Sequence, residues 1–518
     1  MSSDRYLGHM FLEYIRSRPN AICQINAATG ESETNASVLS RTIRLARSFR
    51  AFGLKPGDVL ALGGRNHLDL CIPYYAALMN GLPLVGIDPA YKFDEIKHLL
   101  KLSCPKLALC DLDHRPYYEQ AIKELGLDTK ILTIGYEDCD MNKFIEKYPS
   151  EESDESFEPT QIDLDQNLIW LISTSGTMGR NKIAAFTHRI WLDHVHSMNI
   201  QQANSEINKP AFNQSPIHWI SGMSSLLMMP LRSQCIVHSP LPLTTEHVID
   251  IINRFKPVFS MFSPSTLSYI LKDERECDLT CFDFIILGGG KVYPNLLIEA
   301  KKRTRKDALV LEMHGQTETM GPVLIPHPNT PMGSVGRPHS RGRVKLVDPD
   351  TEQEILEPNK TGELWYFGPR FSCYYNDPEA TAKALSEDGW FKSGDLMYRN
   401  EDNDYFFVER LKLMIKYQNY QIIPTEIEDV IRSHPAVYDV AVTCIPHVDD
   451  GELPVACVVR IPGAVVTAQE LKDMVASQLS ENKEIRGGVV FLEGLPMTST
   501  RKISFAKLKQ IALTAQRE

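Results

Sequence analysis

The chain has 518 residues, of which 43% are hydrophobic and 23% charged, and its 55 Lys and Arg face 66 Asp and Glu for a formal net charge of −11. That length exceeds what one hydrophobic core holds, so at least two domains are expected, and the composition excludes a disordered or low-complexity chain. An acidic surface repels nucleic acid and anionic membrane, so a phosphate ligand has to be held by a local set of donors.

The opening stretch MSSDRYLGHMFLEYIRSRP carries charges throughout and lacks the apolar core of a signal peptide. No later window approaches the ~18 apolar residues of a membrane span. Eleven cysteines without a CxxC pair or zinc-type spacing read as reduced thiols. The last residues, Gln516-Arg517-Glu518, are not the peroxisomal tripeptide, and the expected location is cytoplasmic.

From residue 35 the pattern alternates. Leu39, Ile43, Ala46 and Phe49 share one helical face, and the apolar run Val59 to Gly63 reads as a strand. A helical stretch follows from Leu68 to Met79, then the run Leu82 to Ile87, a helix through Ile96 to Leu102 and a strand from Lys106 to Cys110. Helix and strand in turn imply a parallel sheet with covered faces. After the acidic loop Glu151 to Pro159, strands are expected at Asn167 to Ile172, Cys235 to Val237, Val258 to Phe262, Phe284 to Leu287 and Ala308 to Met313. The basic run from Lys301 to Lys306 continues a helical pattern and reads as a solvated face.

Beyond residue 330 short strands such as Val344 to Val347 and Gly362 to Phe367 look antiparallel, a β-rich cap on the large domain. After Glu409 a small α+β domain is expected. Capping boxes at Thr425 with Glu428 and Thr467 with Glu470 open two helices beside strands at Val437 to Ile445, Val455 to Ile461 and Val489 to Leu492. The expected fold is α/β, with a large domain over 1–409 and a C-terminal domain over 410–518.

Chemistry concentrates where strands end. Ser173-Thr174-Ser175-Gly176-Thr177-Met178-Gly179-Arg180-Asn181-Lys182 follows the run Leu168 to Ile172. Glycine lets backbone N–H groups come close to an anion, hydroxyls add donors and Lys182 adds a point charge, so the loop reads as a phosphate cradle. It is not the Walker P-loop, because Lys182 is followed by Ile183. Gly288-Gly289-Gly290 ends another strand and has no side chain to block a flat ring, and His314-Gly315-Gln316-Thr317-Glu318 sets a hydroxyl beside a carboxylate, a pair suited to phosphate and Mg²⁺. Asp395, after Trp390-Phe391, suits ribose hydroxyls. His188 reads as a helix-start or surface histidine.

In this order the segments resemble the adenylate-forming superfamily of acyl-coenzyme A synthetases, 4-coumarate-type ligases and beetle luciferases, from about residue 35 to about 510. The resemblance implies ATP, Mg²⁺ and coenzyme A as cofactor and cosubstrates, and a small-molecule fatty or aryl carboxylic acid as the substrate. By that match Thr174, Ser175, Gly176, Thr177, Gly179 and Lys182 hold pyrophosphate, and Gly289, His314, Gly315 and Gln316 hold the nucleotide. Thr317 touches a phosphate, Glu318 is the metal ligand, and Asp395 and Arg410 reach the ribose. His218 in SPIHWISG, with Gly288, borders the acyl pocket. Lys412 is the hinge about which the C-terminal lid turns, and Lys502 in PMTSTRKIS is the catalytic lysine of adenylation.

The sequence departs from the family pattern at several places. Met178, Asn181 and Ile183 stand where threonine, proline and glycine are usual, Cys373 and Arg501 replace glycines, and Gln418-Asn419 replaces a lysine–glycine pair. The resemblance therefore implies an acid–thiol ligase first. A catalytically weakened nucleotide-binding relative and a luciferase-like monooxygenase are the alternatives, the second disfavoured by Gln418. The family also admits a peroxisomal location.

Overall fold

Most of the apolar runs of the first three hundred residues become strands of two seven-stranded sheets. The computed structural model describes residues 5–174, 182–197, 208–290, 292–418, 420–498 and 502–518. The chain divides into two units, Met1–Ile325 with Gly368–Leu385, and Pro326–Phe367 with Ser386–Glu518.

In the first unit one sheet runs Leu309–Glu312, Phe284–Leu287, Phe259–Phe262, Lys209–Phe212, Gln234–His238, Ile22–Asn26 and Ser32–Thr34. Its neighbours are parallel except for the last pair. The other runs Cys373–Tyr374, Lys182–Thr187, Leu168–Thr174, Leu84–Ile87, Leu60–Gly63, Leu107–Asp111 and Lys130–Ile134. This second sheet corrects the expectation of parallel pairing alone. Leu168–Thr174 and Lys182–Thr187 form an antiparallel hairpin, and Cys373–Tyr374 adds to it antiparallel from a segment nearly two hundred residues later in the chain. The strand Lys182–Thr187 escapes a sequence reading because Ile183, Ala184, Ala185 and Phe186 are all buried, so no alternation marks it. The helix Leu7–Ser17 and the strand Ile22–Asn26 likewise precede the point where alternation was expected to begin.

Helix Asn35–Phe52 starts where the Thr34 hydroxyl accepts from Ser37 N and ends at Gly53, whose φ of 102° a side chain would disfavour. It buries Leu39, Ile43, Ala46 and Phe49, the face read from the sequence. Helix Cys71–Asn80 is buried along its whole length, as a helix between layers must be. The Tyr74 and Tyr75 hydroxyls donate to the carbonyls of Met223 and Leu226, both at 2.7 Å, and tie it to helix Ile220–Leu231.

The second unit holds a four-stranded antiparallel sheet of Arg343–Val347, Gly362–Phe367, Phe391–Arg399 and Tyr405–Arg410. It also holds a five-stranded sheet centred on Val437–His447 and Gly451–Arg460. Alternate residues of that long pair feed two cores. Val440, Val442, Ala456 and Val458 pack with helices Pro424–Arg432 and Ala468–Gln478, while Ala441, Val455 and Cys457 pack with Leu508 and Ala512 of helix Phe505–Thr514.

Of the two expected capping boxes, Thr467 with Glu470 forms. Thr425 with Glu428 does not. The helix begins at Pro424, the Thr425 hydroxyl donates to Val408 O at 3.4 Å, and buried Glu428 accepts from Val442 N at 2.8 Å. A carboxylate needed to satisfy a strand amide is unavailable to a cap. Among the described residues no helix is long and apolar enough to cross a membrane.

His188 opens helix His188–Ser197, but it is not on the surface. It is 0% exposed and stands edge-on to Tyr6 with ring centroids 5.0 Å apart. Burial holds His188 and His238 neutral, each down to about 3. A depressed folded value means stability is full above the unfolded value of ~6.5 and is lost as pH falls toward about 3. Denaturation midpoints should therefore drop between pH ~7 and ~5, by about 2 kcal/mol for each such histidine. His188→Phe, which keeps an aromatic ring against Tyr6, should flatten that drop; an unchanged slope in urea titrations would contradict the assignment.

Candidate active site

In the first unit the hairpin brackets the hydroxyl-rich loop. Thr174 ends one strand, Lys182 begins the other, and the two are paired in register. Ser175, Gly176, Thr177, Met178, Gly179 and Asn181 lie outside the described residues.

Beside Lys182 runs Cys373–Tyr374, with Tyr374 paired to Ala184 and Tyr375 N donating to Ile183 O at 2.7 Å. The Lys182 ammonium sits over the Tyr374 ring, 4.6 Å from its centroid. The Tyr374 hydroxyl in turn donates to Glu318 Oε1 at 2.8 Å, and Phe371 N donates to Glu318 O at 2.7 Å. Cation, phenol and carboxylate thus form a continuous line, and Glu318 is only 8% exposed. A buried carboxylate needs such donors. Tyr374 lies in the stretch Gly362 to Thr381, which resembles the family's strand-rich segment before the hinge, but the sequence did not single it out as a site residue; its pairing with the Lys182 strand does.

Glu318 is presented by a tight hairpin. His314–Gln316 pairs antiparallel with Gly321–Ile325, Gln316 N donates to Thr319 Oγ1 at 3.0 Å, and the Thr319 hydroxyl donates to Gly321 O at 2.8 Å. A Cβ on Gly315 would collide with the Gly321 carbonyl, which is why a glycine sits between His314 and Gln316. The turn leaves Thr317 partly exposed next to buried Glu318.

Gly288, Gly289 and Gly290 follow strand Phe284–Leu287. A Cβ on Gly288 would meet only Met313 O at 3.5 Å and one on Gly290 only Pro264 at 3.7 Å, while Gly289 has φ 85°. The stretch is open enough to take a flat ring on its backbone. Lys291 lies outside the described residues.

His218 sits in the turn before helix Ile220–Leu231, 2% exposed, with Nε2 3.2 Å from Oδ2 of Asp88, itself 3% exposed. Burial pushes the imidazole down to about 4 against the pull of Asp88. Asp88 was not singled out in the sequence.

In the second unit Asp395 and Arg410 face each other across paired strands, Arg410 Nε 2.8 Å from Asp395 Oδ1, with Asp395 1% exposed. Gly394 N donates to Glu363 Oε1 at 2.8 Å, and Trp365 Nε1 donates to Glu363 Oε2 at 2.8 Å. Lys412 occupies a single 3₁₀ turn, Leu411–Leu413, just before the five-stranded sheet begins at Ile415. Lys502 is exposed, in a loop closed by Lys502 N to Thr498 Oγ1 at 3.1 Å and Thr498 N to Lys502 O at 2.7 Å. Arg501 and Asn419 lie outside the described residues, and Gln418 has φ 50° with its amide donating to Asp450 Oδ1 at 2.9 Å.

Two mixed sheets in a large α/β part and a smaller α+β part match the fold of solved adenylate-forming enzymes. Residues 11–375 match the AMP-binding enzyme family and residues 426–502 the AMP-binding enzyme C-terminal domain, so the chain belongs to the AMP-binding enzyme family. A luciferin 4-monooxygenase of Photuris pensylvanica is 31% identical over 513 residues, covering 95% of this chain and 92% of that one. The 4-coumarate–CoA ligase-like 9 protein of Arabidopsis thaliana is 28% identical over 501 residues, covering 94% and 86%. The ATP-bound MatB of Rhodopseudomonas palustris shares the fold with a TM-score of 0.85 at 22% identity, over 98% of this chain and 99% of that one.

Tyr374→Phe removes a hydrogen bond to a buried carboxylate, worth about 1.5–3 kcal/mol. Its melting temperature should fall measurably below the parent's, while Tyr375→Phe, a control one residue along, should not reproduce the loss by way of Glu318. Equal melting for Tyr374→Phe and the parent would show that the hydroxyl does not hold the carboxylate.

Proposed function

We propose that the chain activates a carboxylic acid with ATP and passes the acyl group to coenzyme A. The observation that carries this is the Lys182–Tyr374–Glu318 line, which starts at the residue that follows the Ser/Thr/Gly stretch in the sequence. It supports a site where a triphosphate meets a cation on one side and a carboxylate for its counter-ion on the other.

A carboxylate oxygen of the acid attacks the α-phosphorus of ATP, the bond from that phosphorus to the β-phosphate bridging oxygen breaks, and pyrophosphate leaves with the electron pair. The barrier falls by positioning and charge neutralisation. Lys182 and the loop hold the leaving pyrophosphate. Thr317 orients a phosphate oxygen, and Glu318, with Oε1 steadied by Tyr374, supplies a hard oxygen ligand suited to Mg²⁺. Mg²⁺ when bound neutralises the phosphate charge. The open backbone of Gly288 to Gly290 and the His314–Gln316 edge receive the base, and Asp395 with Arg410 receives the ribose.

Lys502 stabilises charge on the α-phosphate and the acid. For this the C-terminal part, taken to begin at residue 410, turns about Lys412, and its exit frees the path for the thiol of coenzyme A. The sulfur attacks the acyl carbon, AMP departs, and the thiol proton goes to solvent. The product is a thioester. Reduced cysteines and an acidic surface fit a cytosolic enzyme.

A second reading, a luciferase-like monooxygenase, is supported by the 31% identity to a luciferin 4-monooxygenase. Gln418, its amide bonded to Asp450, offers no cation at that position.

With ATP, Mg²⁺ and a panel of fatty and aryl acids, pyrophosphate should be released, and Lys502→Ala should slow release by ~10²-fold or more. A melting shift with ATP and no pyrophosphate from any acid would leave a nucleotide-binding relative without the activity. Light from luciferin and air would establish the monooxygenase.

A further inference from the structure

We infer that Glu363 is a positioning residue for the ribose site: its carboxylate answers two donors at once and thereby sets the bulge that aims Asp395. The inference rests on the reading of Asp395 and Arg410 as the ribose-binding pair, and it adds the residue on which their placement depends.

The pairing of Gly362–Phe367 with Phe391–Arg399 breaks step at this point. Glu363 pairs with Leu396 and Trp365 with Lys392, so Leu364 alone stands opposite Ser393, Gly394 and Asp395. Such a bulge bends a strand and re-aims the side chains within it. Gly394 takes φ 69°, in the left-handed region where glycine carries no penalty. Its amide, carried out of step with the ladder, donates to Glu363 Oε1 at 2.8 Å. Asp395 follows directly. Its N–H donates to Ser393 Oγ at 3.1 Å and its Oδ1 lies 2.8 Å from Arg410 Nε, while Arg410 Nη1 donates to Ser393 O at 3.3 Å. The ribose pair is thus built on the bulge itself.

Glu363 is only 8% exposed, and its other oxygen, Oε2, accepts from Trp365 Nε1 at 2.8 Å. Trp365 is buried and lies against two ammoniums, those of Lys345 and Lys392, 5.0 and 4.7 Å from its ring centroid, which fixes the direction of its N–H. Two donors thus converge on one side chain, one from its own strand and one from the neighbour. A carboxylate accepts at both oxygens, whereas an amide of the same shape accepts at one end and donates at the other. Glutamine here would set a donor against either the indole or the bulge amide, and a buried donor left unanswered is costly. The geometry therefore calls for an ionised acid at this position, and the acid holds the residue next to Asp395.

The test measures pyrophosphate release with ATP, 2′-deoxyATP and 3′-deoxyATP. The parent should favour ATP over at least one deoxy form about tenfold or more in kcat/KM, since a site built for a hydroxyl rejects its absence. In Glu363→Gln that ratio should fall toward one, and the KM for ATP should rise by more than kcat changes. A general loss of stability would not single out the ribose. Adding Trp365→Phe removes the competing donor, lets the glutamine turn its oxygen to Gly394, and should restore the ratio toward the parent's. A parent ratio retained in Glu363→Gln, or no recovery in the double variant, would overturn the inference.

Asp395→Asn separates the two readings. If it abolishes the preference and Glu363→Gln does not, the ribose assignment stands and the role of Glu363 falls. If the parent itself shows no preference, the ribose assignment falls and takes this role with it. Where no acid releases pyrophosphate, the acid-activating reading falls, and calorimetric binding of the same three nucleotides supplies the ratios, with the same outcomes. Should Glu363→Gln not fold, Glu363→Asp takes its place, because it keeps both acceptors but draws them back from the bulge. A lowered ratio in it supports the inference and an unchanged one overturns it.

Discussion

A carboxylate taken out of water needs a donor close by, and Glu318 has one in the Tyr374 hydroxyl. The bond does more than stabilise one side chain. Tyr374 belongs to a strand whose partner begins at Lys182, so the same two-residue strand fixes both the carboxylate and the cation whose ammonium lies on its ring. Three stretches distant in sequence are thereby held to one small patch. With a net charge of −11 the surface as a whole gives a polyphosphate no welcome, and local order of this kind is what makes an anion site possible.

The second unit solves a different problem, that of giving one sheet two coverings. The long strands Val437–His447 and Gly451–Arg460 place alternate residues into separate cores, and the helix Phe505–Thr514 seals the face that the other two helices leave. The Lys502 loop leads directly into that sealing helix. A lysine carried in this way rests on a packed base, so its backbone is anchored on one side while the side chain stands exposed.

Much of this architecture was legible in the sequence, because strong periodicity survives folding. The helix face Leu39, Ile43, Ala46, Phe49 and the runs ending at Gly63, Ile87 and Leu287 took the places their patterns assign. What stayed hidden was relational. Nothing in a run of four buried residues told that Lys182–Thr187 turns back as a hairpin, and nothing in Cys373-Tyr374 told which strand it joins. Nothing in the sequence pointed to Asp88, which the fold brings within 3.2 Å of His218 from 130 positions away. Glu428 looked like a cap until the amide of Val442 claimed it. Local chemistry names candidates, and only tertiary pairing chooses among their partners.

The in-register pairing of Thr174 with Lys182 has a corollary. A β-ribbon's side chains alternate between faces, so slipping this ribbon by a single position would turn Lys182 to the opposite side of the sheet and carry the ammonium off the phenol. A substitution in the span between the two strands leaves that register in place, whereas an insertion or deletion of one residue within a strand would not. The ribbon thus tolerates side-chain replacement at the cost of a contact, but a change of length at the cost of the cation's whole orientation.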